Sequence, residues 1–410
     1  MKTSSVWMYS ILPIAAVSGG LGVLLPLYIL SLGGSVYDVG IATALYALIS
    51  IPASIFWGDL TDRLNRIKLF VLISVIGLFP VLLILYFLTQ VAAVESVYGL
   101  YAFIATASAP ALNIMVMSSR MRKSLPKYFS RYSTMLIIGD ALGMVPGLFI
   151  DGSFAKDYLL LLLVVNVISL VLAFRLISAD KTNIEPKHKK VVKKSFGVLN
   201  MLSVTPYVLT GHFLIDRIRK GLKRKVIRHI YLLLASISLF NLALYLFNTS
   251  YIPFLYAHSL TYSQIFIVNM GNAIAQLIVY VVVLSLLSNI NLERYYKVST
   301  LLRSAAPALA FLPLAVMPGF VFGWNILAYF VAGIAYAIWN ITSSVMLYEK
   351  IRRQGPGHYV GVWAAVLGFS GVLGAFLSGL LSAMSGYVTT FLFSILALGA
   401  AFFVFSYKKG

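Results

Sequence analysis

The sequence predicts an all-α membrane protein with twelve transmembrane helices in two pseudo-symmetric six-helix bundles. Three observations predict this fold. Of the 410 residues, 60% are hydrophobic and only 11% are charged, which is outside the range of soluble globular proteins. Apolar runs of about 20 residues, long enough to cross the hydrocarbon core of a bilayer, recur along the whole chain. Short motifs of the first half also reappear in the second half at a near-constant offset.

The apolar runs fall in two groups of six, separated by one long polar stretch. Their predicted limits are 8–32, 39–57, 67–89, 96–119, 132–150, 158–174, 229–250, 263–288, 298–318, 324–348, 359–383 and 387–407. The first run is longer than the apolar core of a cleavable signal peptide and only Lys2 precedes it with a charge, so we expect it to be a span. The predicted domains are a first bundle over 1–178, a basic cytoplasmic linker over 179–228 and a second bundle over 229–410.

The linker is basic at both ends and apolar in its middle. The segments KTNIEPKHKKVVKK and DRIRKGLKRKVIRH flank the segment FGVLNMLSVTPYVLTGHFLI. If that apolar segment crossed the membrane, the two basic blocks would lie on opposite faces, against the positive-inside rule. We therefore expect it to form a helix that lies in the cytoplasmic interface.

The basic residues also predict the orientation of the chain. With the N-terminus inside, all of the 32 Lys and Arg residues except Lys156 lie on the cytoplasmic side or at its edge. Both termini are therefore predicted to be cytoplasmic, in the cell (plasma) membrane. The net charge of +20 is then explained by a cytoplasmic face that meets anionic lipid headgroups, and no nucleic-acid partner is expected.

Several signatures of enzymes and metalloproteins are missing from the sequence. The chain has no Cys, which excludes a disulfide framework, a thiolate metal site and a catalytic thiol. Its five His residues are scattered, which argues against a metal or haem site. A glycine-rich phosphate loop is also missing, so ATP-driven transport by this chain is not expected. We expect a monomer that is not an enzyme, with no catalytic residues, no cofactor and no metal.

The two halves of the sequence look like copies. The segment GLFIDG at 147–152 closes the fifth span and GAFLSG at 374–379 closes the eleventh. Pro26 near the end of the first span and Pro253 near the end of the seventh have the same separation. Two six-helix halves at one offset imply a pseudo-twofold axis, which is the architecture of many secondary transporters.

The loop between the second and third spans contains a recognisable motif. It reads WGDLTDRLNRIKLF over 57–70, with a degenerate second copy between the eighth and ninth spans. The predicted gate residues are Gly58, Asp59, Asp62, Arg63 and Arg66, and in the second copy Glu293, Arg294 and Lys297. The loop resembles the signature G-x-L-x-D-R-x-G-R-[KR] of the major facilitator superfamily, with Asn65 at the second glycine and Lys68 one place late. This resemblance implies the fold of that superfamily for the whole chain.

The resemblance also implies a role for the loop as a cytoplasmic gate. Charges at the edge of a low-dielectric layer interact more strongly than in water, so they can hold helix ends together in one conformation and release them in another. The resemblance implies that Asp62 faces the N-terminal end of the eleventh span near 358–361, where the helix dipole favours an anion. Gly58 would permit close helix packing. The alternative is a solvated turn whose cations only set the topology.

Two ionisable side chains lie well inside predicted spans. Arg303 is near enough to the cytoplasmic end of the ninth span for its side chain to reach the interface, so a structural role is favoured. Asp140 is near the middle of the fifth span, where a carboxylate indicates function. The surrounding GDALGMVPG at 139–147 loosely resembles the glycine-proline signature of superfamily antiporters. Asp140 is therefore predicted to couple protons, with a buried structural hydrogen bond as the alternative.

Amide and aromatic side chains near the middle of the membrane predict the substrate cavity. The predicted substrate-binding residues are Thr106, Asn113, Asn241, Tyr245, Asn272, Gln276, Tyr336, Trp339 and Asn340. Such a set, which carries no fixed charge, suits a neutral, amphipathic or cationic solute better than a multiply charged anion. The alternative is that these amides only join helices by hydrogen bonds.

These features predict a secondary active transporter that moves a small organic solute by alternating access. We expect coupling to protons through Asp140, with efflux slightly favoured over uptake on the basis of the glycine-rich fifth span. The alternative is a sensor or assembly factor of the same fold that does not transport and docks partners through its basic cytoplasmic loop.

Overall fold

The computed structural model describes residues 5–64, 66–118, 125–149, 155–177, 225–286, 291–316, 320–351 and 356–407. All regular secondary structure in these ranges is helical. The linker predicted over 179–228 lies outside the described residues, apart from the start of the helix that follows it.

The first half contains a short 3-10 turn and seven helices. The turn Ser5–Ser10 precedes α1 (Ile11–Ser31), α2 (Val36–Leu64), α3 (Ile67–Phe87), α4 (Val91–Ala105), α5 (Ser108–Ser118), α6 (Leu125–Met144) and α7 (Ala155–Leu176). A second 3-10 turn, Val145–Phe149, extends α6. α4 and α5 are the two parts of the fourth span, which breaks at Thr106. Pro110 explains the break, because a proline ring clashes with the carbonyl group four residues earlier.

The second half contains six long helices. They are α8 (Lys225–Ala257), α9 (Tyr262–Leu286), α10 (Leu292–Val316), α11 (Val321–Ile351), α12 (Pro356–Ser385) and α13 (Tyr387–Ser406). The twelve predicted spans are thereby confirmed as helices. Eleven described segments are long and apolar enough to cross a membrane. The twelfth, α10, has 25 residues, about 37 Å at 1.5 Å per residue, and carries four of the chain's charged residues.

Corresponding helices pack in the same way in the two halves. The first span packs against the fifth, the second against the fourth and the third against the sixth, and the same pairings recur among spans seven to twelve. The turns that follow the first and seventh spans also match. Gly33 (φ +85°) and Ser259 (φ +64°) are both left-handed, and Gly34 and Leu260 each donate a backbone hydrogen bond to the carbonyl five residues earlier. These repeats confirm the pseudo-symmetry.

The even number of spans places both chain termini at one face, here called the terminal face, where α2 ends and α10 begins. The opposite face is called the distal face. The halves meet through α2 against α12 and through α6 against α9. Near the distal face, a Cβ atom on Gly40 would lie 2.7 Å from Cα of Gly379. Ser263 Oγ donates to the Leu148 carbonyl at 2.7 Å. Small residues permit this close approach of the helices.

The hydrophobic core differs between the two faces. Toward the distal face, one cluster of buried residues includes side chains of both halves, among them Tyr28, Tyr158, Phe247 and Phe266. Toward the terminal face, the described residues form two separate clusters, one around Trp57 and Phe70 in the first half and one around Phe240 and Tyr296 in the second. A small cluster at middle depth connects Ile137 of α6 to Tyr280 of α9. Among the described residues, the halves are therefore joined at the distal side and form separate clusters at the terminal side.

Candidate functional site

Asp140 is placed by the close packing of α6 on α1. A Cβ atom on Gly139 or on Gly143 would collide with backbone atoms of α1, at Leu12 and Ala16. These two glycines are four residues apart and thus share one face of α6, which leaves the neighbouring position 140 on a different face. The Asp140 side chain is half-buried. It lies close enough to Tyr46, Tyr101 and Tyr336 to interact with them electrostatically.

A tyrosine cluster surrounds this position, formed by Tyr46, Tyr98, Tyr101, Tyr245 and Tyr336. The rings of Tyr46 and Tyr98 stack with centroids 4.9 Å apart, and those of Tyr98 and Tyr101 stack at 5.7 Å. Tyr245 of α8 lies near Tyr46 and Tyr336. The cluster therefore contains side chains of both halves, at the depth where the halves meet.

Arg303 is the buried cation of the second half. Only 2% of the residue is exposed, and its guanidinium lies 5.4 Å from the centre of the Phe247 ring. Nη2 donates to Asn248 Oδ1 at 2.6 Å and Nη1 donates to the Ala332 carbonyl at 3.2 Å. The expectation that this side chain reaches the membrane interface was wrong, because these partners hold it inside the helical bundle.

Tyr336 lies near both charged residues, Arg303 and Asp140. Among the described residues, the ionisable groups that act on Arg303 are all tyrosines, namely Tyr251, Tyr329 and Tyr336. A buried cation that has aromatic and amide neighbours is costly, and such residues inside a membrane usually have a function.

Four of the predicted binding residues lie on α9 and α11 around the tyrosine cluster. Asn340 Nδ2 donates to Tyr280 Oη at 2.7 Å, and Tyr280 in turn interacts with Tyr336. Asn272 Nδ2 donates to the Tyr329 carbonyl at 2.8 Å, and Gln276 Nε2 donates to Asn272 Oδ1 at 2.6 Å. Tyr336 itself belongs to the cluster. The structure thus brings Asn272, Gln276, Tyr336 and Asn340 together, with Tyr245 opposite them on α8.

The other four predicted binding residues have different surroundings. Asn241 Nδ2 donates to the Leu367 carbonyl at 2.8 Å and joins α8 to α12. Trp339 is 4% exposed and stacks on Phe240 at 4.3 Å inside the second half. Thr106 donates to the Ala102 carbonyl at 2.6 Å, at the break in the fourth span, and Asn113 is exposed. The hydrogen bond of Asn241 matches the alternative of amides that join helices, and the bonds of Asn272 and Asn340 between α9 and α11 match it as well.

The site predicted from the sequence did not include Tyr46, Tyr98 or Tyr101. It also left out Arg303, for which a structural role was expected. The amides at middle depth lie mainly in the second half of the sequence. A usable signal was present in the first half, since Tyr98 and Tyr101 are three residues apart and face the same side of α4. For Arg303 the signal was Asn248, an amide on the polar face of the seventh span.

The predicted gate residues lie at the terminal face. Arg66 is exposed at the start of α3, and Asp59 is half-buried near the end of α2. An added Cβ atom on Gly58 would meet nothing within 4 Å, so the described residues do not include a close helix neighbour there. The side chains of Asp62 and Arg63, and those of 358–361, lie outside the described residues, and with them the predicted contact between these segments.

The second copy of the motif borders a surface crevice. Glu293, Arg294 and Lys297 lie in the first two turns of α10 and line a crevice of about 400 Å³ between α10 and α13. Lys297 Nζ is 5.6 Å from the centre of the Phe402 ring. In the first half, Lys68 Nζ lies 4.3 Å from the centre of the Phe174 ring. Lys68 is therefore the structural counterpart of Lys297.

Comparisons with known proteins extend this description. The sequence model described as Major Facilitator Superfamily matches residues 8–363. No curated protein sequence matches the chain. Among solved structures, the nucleoside transporter NupG is similar, with a TM-score of 0.69 and 15% identity over 100% of this chain and 99% of that chain. A POT family transporter in complex with 5-aminolevulinic acid has a TM-score of 0.69 and 13% identity over 98% and 94%. At such identities the likeness concerns the fold alone.

Proposed function

The chain belongs to the Major Facilitator Superfamily, and we propose that it is a secondary active transporter that moves a small organic solute by alternating access. The observation that carries this proposal is the division of the hydrophobic core. The two halves share one core toward the distal face and have separate cores toward the terminal face in the described residues. A pair of pseudo-symmetric bundles joined at one side is the arrangement that rocking around a central site requires.

The tyrosine cluster, with Asp140 on one side and Arg303 on the other, is the proposed solute site. Tyrosine rings provide apolar faces and hydroxyl groups that donate and accept hydrogen bonds, and solute sites combine such surfaces with few polar groups. One acidic and one basic group suit a small polar solute with at most one net charge. The amides of Asn272, Gln276 and Asn340 are proposed to orient it, beside Tyr245 and Tyr336 of the cluster. Thr106, Asn113, Asn241 and Trp339, which were also expected from the sequence, make the other contacts described above.

Asp140 is the proposed coupling residue. A charged carboxylate in a low-dielectric site costs free energy, so proton binding at Asp140 would depend on whether water reaches the space between the halves. In a rocking cycle, the access of water changes from one face to the other. The position of Asp140 beside Tyr336, a residue of the other half, supports this role.

The arrangement of the whole chain follows from the same proposal. We place the terminal face in the cytoplasm of a cell whose plasma membrane holds the protein as a monomer, with bundles over 1–178 and 229–410 and the linker over 179–228. The motif around Gly58, Asp59, Asp62, Arg63 and Arg66, with Glu293, Arg294 and Lys297, would gate the cytoplasmic side. Efflux is slightly favoured over uptake.

Transport into proteoliposomes with and without an imposed pH gradient tests the proposal. We expect a solute library to contain at least one compound that the wild-type protein accumulates only when the gradient is present. Asp140→Asn should still exchange that solute between compartments of equal pH but should not accumulate it. Asp157→Asn is the matched control, since Asp157 is exposed at the distal start of α7. If the library gives no flux, the non-transporting sensor is the better account. If Asp140→Asn still concentrates the solute, Asp140 is not the coupling residue.

A further inference from the structure

The crevice between α10 and α13 is separate from the proposed solute site. It opens at the terminal face and its volume is about 400 Å³. Its lining includes Arg294, Lys297, Val298, Leu301 and Phe402. These helices are the third and sixth spans of the second half, which take no part in the main contacts between the halves. The crevice therefore faces the surroundings of the protein.

The lining of the crevice changes from basic to apolar along one stripe of α10. Arg294, Lys297, Val298 and Leu301 follow the spacing i, i+3, i+4, i+7 and so lie on one helix face. Arg294 is exposed, and Val298 and Leu301 are 40% and 55% exposed. The stripe is about 10 Å long. Two cations thus stand at the membrane edge directly above apolar side chains that face the lipid region.

Lys68, the counterpart of Lys297 in the first half, differs from it in its hydrogen bonding. Lys68 Nζ donates a hydrogen bond to the Phe174 carbonyl at 2.6 Å and lies over the Phe174 ring. Lys297 lies farther from its ring, at 5.6 Å, and its ammonium makes no hydrogen bond within the described part of the chain.

The ends of α7 and α13 explain this difference. α7 ends at Leu176, so the carbonyl of Phe174 is among the last four of its helix, which have no partner within the helix itself. α13 ends at Ser406, so the carbonyl of Phe402 is still used within its helix. Lys68 therefore has an acceptor in α7, whereas no described residue accepts a hydrogen bond from Lys297, and its donors can serve a bound molecule.

We propose that this crevice binds one anionic phospholipid, whose phosphate lies against Arg294 and Lys297 and whose acyl chain lies along Val298, Leu301 and Phe402. Two cations form charge-assisted hydrogen bonds to phosphate oxygens, and the apolar stripe below them covers the first part of the chain. Glu293 also borders the crevice, but the two cations leave an excess of positive charge. A free phosphate ion would use the same cations without the apolar stripe.

The test uses the full-length protein in detergent, titrated with phosphatidylglycerol or phosphatidylcholine and observed by native mass spectrometry. We expect one phosphatidylglycerol to remain bound under conditions that remove phosphatidylcholine. Arg294→Gln with Lys297→Gln should weaken this binding on the order of 30-fold, since each basic group near an anionic headgroup contributes about fivefold. Arg131→Gln with Arg175→Gln is the matched control, because both residues are exposed at the same face outside the crevice.

Further measurements distinguish a bound lipid from a free phosphate ion and from general surface charge. Leu301→Gln should weaken the binding of phosphatidylglycerol while leaving the melting temperature in phosphatidylcholine micelles unchanged, which shows that the variant is folded. Inorganic phosphate in tenfold excess should not displace the lipid. The proposal fails if both double variants lose lipid equally, since the effect would then be general surface charge. It also fails if the crevice variant binds like the wild type, or if phosphate alone displaces the lipid.

Discussion

Replacement of Gly143 by alanine tests the contact that positions Asp140. In the structure, a Cβ atom on Gly143 would lie 2.6 Å from the carbonyl carbon of Ala16 and even closer to its oxygen. Favourable carbon contacts are about 3.5–4.0 Å, so the helices would have to separate by roughly 1 Å. The obstacle is backbone, which cannot rotate away as a side chain can. The carbonyl group of Gly143 itself accepts a hydrogen bond from Tyr158 Oη of α7. A shift of α6 would therefore also disturb α7.

The expected change in the free energy of unfolding of Gly143→Ala follows from two opposing effects. Overpacking costs about 1–3 kcal/mol, and a backbone obstacle places Gly143→Ala toward the upper end. Alanine gains about 0.5–1 kcal/mol over glycine inside a helix. We expect a net loss of about 2 kcal/mol of stability for Gly143→Ala. Gly22→Ala on α1 is the control, since its Cβ would meet nothing within 4 Å. It should gain about 0.5–1 kcal/mol, so the difference between the variants measures the packing effect.

The assay is thermal unfolding of both variants in the same detergent, followed by tryptophan fluorescence. Gly143→Ala should melt below the wild type and Gly22→Ala at or slightly above it. Gly143→Ala should also accumulate less solute under a pH gradient, because Asp140 is three residues away on the displaced helix. Equal melting temperatures for the two variants would refute the reasoning, since the contact between α1 and α6 would then have room for a methyl group.

Three further predictions concern charge and topology. Arg303→Lys should retain more solute transport than Arg303→Gln, because it keeps the buried positive charge. If Arg303→Gln transports like the wild type, Arg303 is not part of the solute site. A cysteine at Lys190, which lies outside the described residues, should react with an impermeant maleimide only from the cytoplasm, and one at Lys156 only from outside; the reverse pattern would overturn the proposed orientation. Asp62→Asn should raise the cytoplasmic accessibility of a reporter near Gly361, because an amide loses most of its attraction to the neighbouring arginines; unchanged accessibility and transport would leave the loop as a topology signal only.

The sequence predicted the helices well because membrane crossing imposes a length and a composition on each one. The limits of α3 and α13, for example, agree with the predicted spans to within two residues. Even the break at Thr106 had a signal in Pro110. These features depend on residues close together in the chain, which a single sequence displays directly.

The site was predicted less completely because its residues come from different helices. Asp140 lies near Tyr336 of the other half, and its function in coupling stays a prediction. Arg303 was misplaced because its depth was judged only from its distance to the helix end. Whether a long cation turns toward the interface or the interior depends on acceptors such as Asn248, and those are known only once α8 and α10 are packed together.

The helices of the two halves are related by pseudo-symmetry, but the charged residues of the candidate site are not. Asp140 and Arg303 belong to opposite halves, and the residues at the corresponding positions of the other halves are uncharged, Leu367 and Ser74. The contacts between α2 and α12 and between α6 and α9 are related by the pseudo-symmetry, so the proposed rocking would be equivalent toward either face. Tyr336, which lies near both charges, belongs to the second half only. In the proposed cycle, rocking would change the separation between Asp140 and Arg303 because they belong to opposite halves. Binding of a solute or a proton at one of these groups would then alter the electrostatic potential at the other.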